Sequence, residues 1–184
     1  MKTYREWAEY YCANGVAVYP SCANRWEVSD AYPWKQTIEA VQTFNWEDSR
    51  WVGGIAGVAH ITLVRLALNQ KEMRYIFKVI TRFLSLLNLY NYPWVIIDNE
   101  DNVFILLQCH CKYSGWEGFD SIQIISRGFY ELPCDIDKIK SNAKFFFKAL
   151  PLVSPSIVKY NDVLDTIGHI IEEFGLLLNK EDAP

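Results

Sequence analysis

The stretch Ile61-Thr62-Leu63-Val64-Arg65-Leu66-Ala67-Leu68 decides the fold. It reads as a strand, and alternation puts Ile61, Leu63, Arg65 and Ala67 on one face. Just before it, Gly53-Gly54-Ile55-Ala56-Gly57-Val58 reads as a second strand, so the two form a strand pair. Downstream, Asn69 with Glu72 caps a long predicted helix with Met73, Ile76, Phe77, Ile80, Phe83, Leu84 and Leu87 on its apolar face. Lys71, Arg74, Lys78 and Arg82 line its opposite face. Trp94-Val95-Ile96-Ile97 and Val103-Phe104-Ile105-Leu106-Leu107 flank the turn-forming Asp98-Asn99-Glu100-Asp101-Asn102, which predicts a β-hairpin. A further pair, 121–126 and 129–132, is split by Arg127-Gly128, and helices over about 135–150 and 155–178 close the chain. Ser154-Pro155 would open the last helix as N-cap and first residue.

Working upstream, Thr3-x-x-Glu6 makes a capping box for a helix with Tyr4, Trp7, Ala8, Tyr11 and Cys12 on one face. Asn14-Gly15 ends it. A short strand over 16–20, a loop over 21–36 and a short helix over 37–44 follow. Paired strands around one long helix predict an α+β fold with a mainly antiparallel sheet flanked by helices.

With 184 residues, 51% of them hydrophobic, the chain can bury one core but not two ordinary ones. A single domain over 1–184 is expected, with a body over about 4–155 and an acidic C-terminal helix over about 156–184. No apolar window reaches 18 residues; the best candidate, 55–68, carries His60 and Arg65, so no membrane span is expected. Met1-Lys2-Thr3-Tyr4-Arg5-Glu6 has no apolar run of a signal peptide. Five cysteines, an odd number, then read as reduced thiols in a cytoplasmic protein. The net charge of −4 argues against a strongly basic nucleic-acid binder. Residues 161–184 hold six acids against one base, so the body is close to neutral.

Few residues form a chemical pattern. In Cys109-His110-Cys111 a strand would point the cysteines to one face and His110 to the other, so the triplet cannot supply three ligands to one ion. Asp98, Glu100 and Asp101 are oxygen donors suited to Mg²⁺, and equally ordinary turn formers. There is no Gly-x-Ser-x-Gly, no phosphate-binding glycine loop and no shared spacing among His60, His110 and His169. The stripes Lys71–Arg82 and Lys140, Lys144, Lys148 could track a phosphate backbone, or simply be solvated helix faces.

Several stretches, in order, resemble the primase–polymerase domain of the archaeo-eukaryotic primase superfamily, in the Bacteroidetes-type version carried by phages, plasmids and integrated elements. They are Tyr10-Tyr11 to Gly15, Val18-Tyr19-Pro20, Trp34-Lys35 with Phe44, Gly54 to Val58, Ile61 to Leu68, Asn102 to Cys109, Ile125 to Gly128 and Tyr130 to Cys134. The likeness spans about residues 4–155. It implies that family's fold. The family's nucleotidyl transfer uses metal ions held by two carboxylates on one strand, a third on a later strand, and a phosphate-binding histidine. Those positions fall here on Arg65 and Ala67, on Ile125, and on Phe104. A guanidinium at residue 65 repels the ion that a carboxylate would hold. The resemblance therefore implies a catalytically inactive domain with no metal and no cofactor, part of a mobile-element replication system. Arg65, Arg127 and Lys35 are the candidates for gripping single-stranded nucleic acid or a nucleotide, with replication proteins as further partners. Arg65 has a second reading, pairing with Asp98 or Glu100. The alternative function is a protein–protein interaction module with no nucleic-acid role.

Overall fold

The computed structural model describes residues 2–22, 36–67, 75–98, 100–110, 116–119, 121–134, 143–147 and 150–175. Among these, helix α1 (Tyr4–Ala13) opens with the complete Thr3/Glu6 capping box and buries Trp7, Ala8 and Tyr11. Gly15, at φ +78°, turns the chain into β1 (Val18–Pro20). Helix α2 (Ile38–Thr43) is capped by Thr37, whose side chain accepts from the Ala40 N–H. Strand β2 (Val52–Ala56), a 3₁₀ turn (Val58–His60) and β3 (Ile61–Leu66) follow. Then come α3 (Ile76–Leu86), β4 (Val95–Ile97), β5 (Val103–Cys109), β6 (Trp116–Phe119), β7 (Ile122–Ile125), β8 (Gly128–Leu132), β9 (Lys144–Phe145), β10 (Ile157–Val158) and α4 (Tyr160–Phe174). The fold is α+β with mostly antiparallel sheets.

The larger sheet runs β6-β7-β3-β5-β4-β9, with β10 also on β5. Both β3 and β4 are antiparallel to β5, which lies between them. They are therefore parallel to each other, and α3 joins them in a split β-α-β unit. Val64 and Leu66 on β3, Ile105 and Leu107 on β5, and Ile122 and Ile124 on β7 share one face and are buried. They belong to one core with Val79, Ile80 and Phe83 of α3 and Val163, Ile167 and Ile170 of α4. The acidic C-terminal helix thus packs on the body. On the opposite face, Trp94 meets Tyr11 of α1 and Phe145 of β9.

The smaller sheet, β1-β2-β8, corrects two expected pairings. β2 does not pair with β3, nor β7 with β8; β2 pairs with β8, and β3 with β7. The reason lies at two adjacent corners. Gly57, at φ +94°, donates its N–H to Ile61 O across the 3₁₀ turn, and its α-carbon sits so close to Ser126 O that a Cβ would come within 2.8 Å of it. The two strands turn together from one sheet into the other. The outer edge of β1 is closed by buried Gln36, whose side-chain amide exchanges two hydrogen bonds of 2.7 Å with the Val18 backbone.

Three helix expectations shift. The Asn69 cap lies outside the described residues, and α3 is described from Ile76. Phe77 is 59% exposed and stacks on Phe146 instead of joining the core. Within the stretch expected as helix over 135–150, Lys144–Phe145 forms β9, because Phe145 pairs with Ile96 at the sheet edge. Lys140 and Lys148 lie outside the described residues. The last helix begins at Tyr160 instead of Pro155, since Ser156 O accepts from Gln108 N and Ile157–Val158 extend along β5.

Candidate functional site

Arg65 stands near the end of β3, between Phe104 of β5 and Gln123 of β7. Strand alternation sends its side chain to the face opposite the helix core. There Leu63 and Leu106 are buried, whereas Arg65, Phe104 and Gln123 are only half-buried. The four positions on which the resemblance would seat that family's metal ligands and histidine share this face. Phe104 pairs with Arg65, Ile125 pairs with Leu63, and Ala67 follows Arg65 by two residues.

Hydrogen bonds fix the guanidinium. Its Nε and Nη2 donate to Asn102 Oδ1 at 3.2 and 2.8 Å, and Nη1 donates to Gln123 Oε1 at 3.1 Å. Asn102 is 7% exposed, and its orientation follows from the hairpin turn that holds it. Asp98 Oδ1 accepts from the N–H groups of Glu100 and Asn102, both at 2.9 Å, and Asp98 Oδ2 accepts from Asn102 Nδ2 at 2.9 Å. The amide nitrogen of Asn102 is thus committed to carboxylates, leaving its oxygen for Arg65. Asp98 and Glu100 reach Arg65 through Asn102, where the sequence suggested a direct pair. Asp98 acts as an Asx-turn former and Asp101 takes a left-handed conformation at φ +61°. The turn reading of the acidic cluster accounts for these contacts.

Arg127 is exposed in the corner between β7 and β8. It lies four residues beyond Gln123, roughly 13 Å of chain away. Lys35 lies outside the described residues. The thiols of Cys12, Cys22 and Cys134 donate to the carbonyls of Gln36, Asn45 and Leu132. Among the described residues, no group of three or more His, Cys, Asp or Glu side chains is placed to hold a metal ion. No helix among them is long and apolar enough to cross a membrane.

One constellation was invisible in the sequence. His60 and His110 lie far apart in the chain, yet their ring centroids are 4.0 Å apart. Only the β3–β5 register, in which Ile61 faces Gln108, brings them together. No family model matches this chain, and no curated protein matches it in sequence.

Proposed function

We propose that this chain is a primase–polymerase-like domain without nucleotidyl-transfer activity, which binds a nucleotide or single-stranded nucleic acid as an accessory module of a phage, plasmid or integrated-element replication system. The observation that carries the reading is Arg65. A permanent cation sits half-buried on the sheet face, oriented by the neutral amides of Asn102 and Gln123. The planar guanidinium fork suits bidentate phosphate contact. The shared face of Arg65, Ala67, Phe104 and Ile125 also supports it, because residues of one catalytic centre must converge and these positions do.

The test is fluorescence anisotropy of a labelled single-stranded oligonucleotide, and of a labelled nucleotide, at low salt. Weak binding that falls with salt is expected, and Arg65→Ala should flatten the slope of log K against log salt by about 0.7, one phosphate's worth on a single strand. Absence of binding at low salt, or an unchanged slope in Arg65→Ala, overturns the proposal.

A second reading rests on a different observation. Leu152, Val153 and Ile157 are 84%, 63% and 82% exposed in one segment, more apolar exposure than a solvated loop needs. A protein-interaction module would use it, and light scattering that shows a stable dimer dissolved by Leu152→Asp would favour that role.

A further inference from the structure

At the far end of β3 and β5 from Arg65, a cavity of about 730 Å³ opens between the sheet and the start of α4. His60, His110, Asp162 and Asp165 are among its lining residues. The two imidazoles lie 4.0 Å apart, centroid to centroid, at an interplanar angle of 35°. Neither ring has a hydrogen-bond partner among the described residues, although each carries a donor and an acceptor nitrogen. His60 is displayed there by an uncommon backbone: Ala59 and His60 take φ of +52° and +61° in succession. Side chains with a Cβ adopt that conformation sparingly, and such strain persists where the surroundings enforce it.

We propose that His60 and His110 form a two-histidine site for a borderline divalent cation of the Zn²⁺, Ni²⁺ or Cu²⁺ type, with water completing its coordination. Imidazole nitrogen is the donor these ions favour, whereas Mg²⁺ and Ca²⁺ want oxygen. Two bonds of about 2.0–2.1 Å meeting at a tetrahedral angle place their nitrogens roughly 3.4 Å apart. With both lone pairs aimed at one ion the ring centroids stand roughly 5 Å apart, so the two exposed rings, 4.0 Å apart here, must swing apart by rotation about their side-chain bonds. The electrostatics choose a cation over an anion. The N-terminal end of α4 and Lys159 bring positive charge to the cavity wall, but Asp162 and Asp165 bring two full negative charges. Neither carboxylate is placed as a ligand; they set the sign of the local field. This site is separate from the Arg65 face and does not depend on the nucleic-acid reading.

Calorimetric titration of the untagged chain with Ni²⁺ and with Zn²⁺, in a reducing buffer at neutral pH, tests it. One ion per chain is expected, with no competition from Mg²⁺. Binding should be lost in His110→Ala and in His60→Ala, and retained in Cys109→Ser. Both histidines are exposed, so circular dichroism should show each His variant folded; His110→Gln, which lies outside the strained turn, serves if His60→Ala is not. No saturable binding at millimolar metal overturns the proposal. So does an isotherm unchanged in the histidine variants, or one that disappears with Cys109.

Discussion

Tyr92 and Tyr130 both bury a phenol, but in different company. Tyr92 Oη donates to Leu106 O at 2.6 Å and accepts from Ser156 N at 2.8 Å, tying the segment before β10 to the sheet. Tyr130 Oη is buried with no hydrogen-bond partner among the described residues, and its ring lies over the bare α-carbon of Gly54. Removing a satisfied hydroxyl strands its partners at about 1–3 kcal/mol, whereas removing an unsatisfied one ends a desolvation cost. Tyr92→Phe should therefore lower the urea midpoint, and Tyr130→Phe should leave it unchanged or raise it. The same midpoint change in both variants would show that hydrogen bonding does not distinguish them. Arg65 belongs to this scale as well. Its face was legible in the sequence because alternation along a strand is a local rule, but its partners were not. Asn102 and Gln123 arrive through the β3–β5 and β3–β7 registers, and no spacing within one strand reports a neighbour's register.

Among the elements, the corner at Gly57 sets the architecture, because it sends β2 and β3 into different sheets. A Cβ there would combine a left-handed backbone with a contact at 2.8 Å from Ser126 O, a backbone atom that cannot swing aside. Gly57→Ala should destabilise by about 1–3 kcal/mol, the usual cost of such strain, or more if the corner shifts. Gly168 is the control. It lies inside α4 with nothing within 4 Å of the place an added methyl would occupy, so Gly168→Ala should stabilise by about 0.5–1 kcal/mol. Chemical denaturation of the two variants separates the effects, and equal shifts would remove the corner's special role. The glycines and apolar runs around this corner mark strands correctly but not their partners, because nearness in sequence favours a hairpin that the turn geometry forbids. The β4–β5 hairpin was legible since Asp98 to Asn102 supply their own turn chemistry. By contrast, β9 and β10 have two residues each, too few for a period, and owe their form to pairing at the sheet edge. His60 and His110 were hidden for the same reason, as tertiary neighbours with no common motif.

Across the whole molecule, the core stores phenols that resist ionisation. Burial raises Tyr11, Tyr92 and Tyr130 above the ordinary value of 10.0, with desolvation the leading cause in each. Tyr11 also donates to Pro133 O, joining α1 to the end of β8. In the unfolded chain each phenol returns to its ordinary value, so above pH 10 the folded state holds protons that the unfolded state has released. A raised folded value means that the contribution is complete below pH 10 and is lost as pH rises beyond it. Three such groups together remove about 4 kcal/mol by pH 11 and about 8 kcal/mol by pH 12, if all three stay protonated in the fold. Of the roughly 5–15 kcal/mol usual for a domain, a stability of about 5–8 kcal/mol would be exhausted between those pH values, and a larger one at higher pH. Far-ultraviolet circular dichroism and phenolate absorbance, followed in one alkaline titration, read both halves of the argument. The late absorbance step should coincide with loss of ellipticity, because these phenols ionise only when the core opens. Full phenolate absorbance reached while the ellipticity is intact would mean that water already reaches them, and the enclosure of α1, β5 and β8 in one core would have to be abandoned.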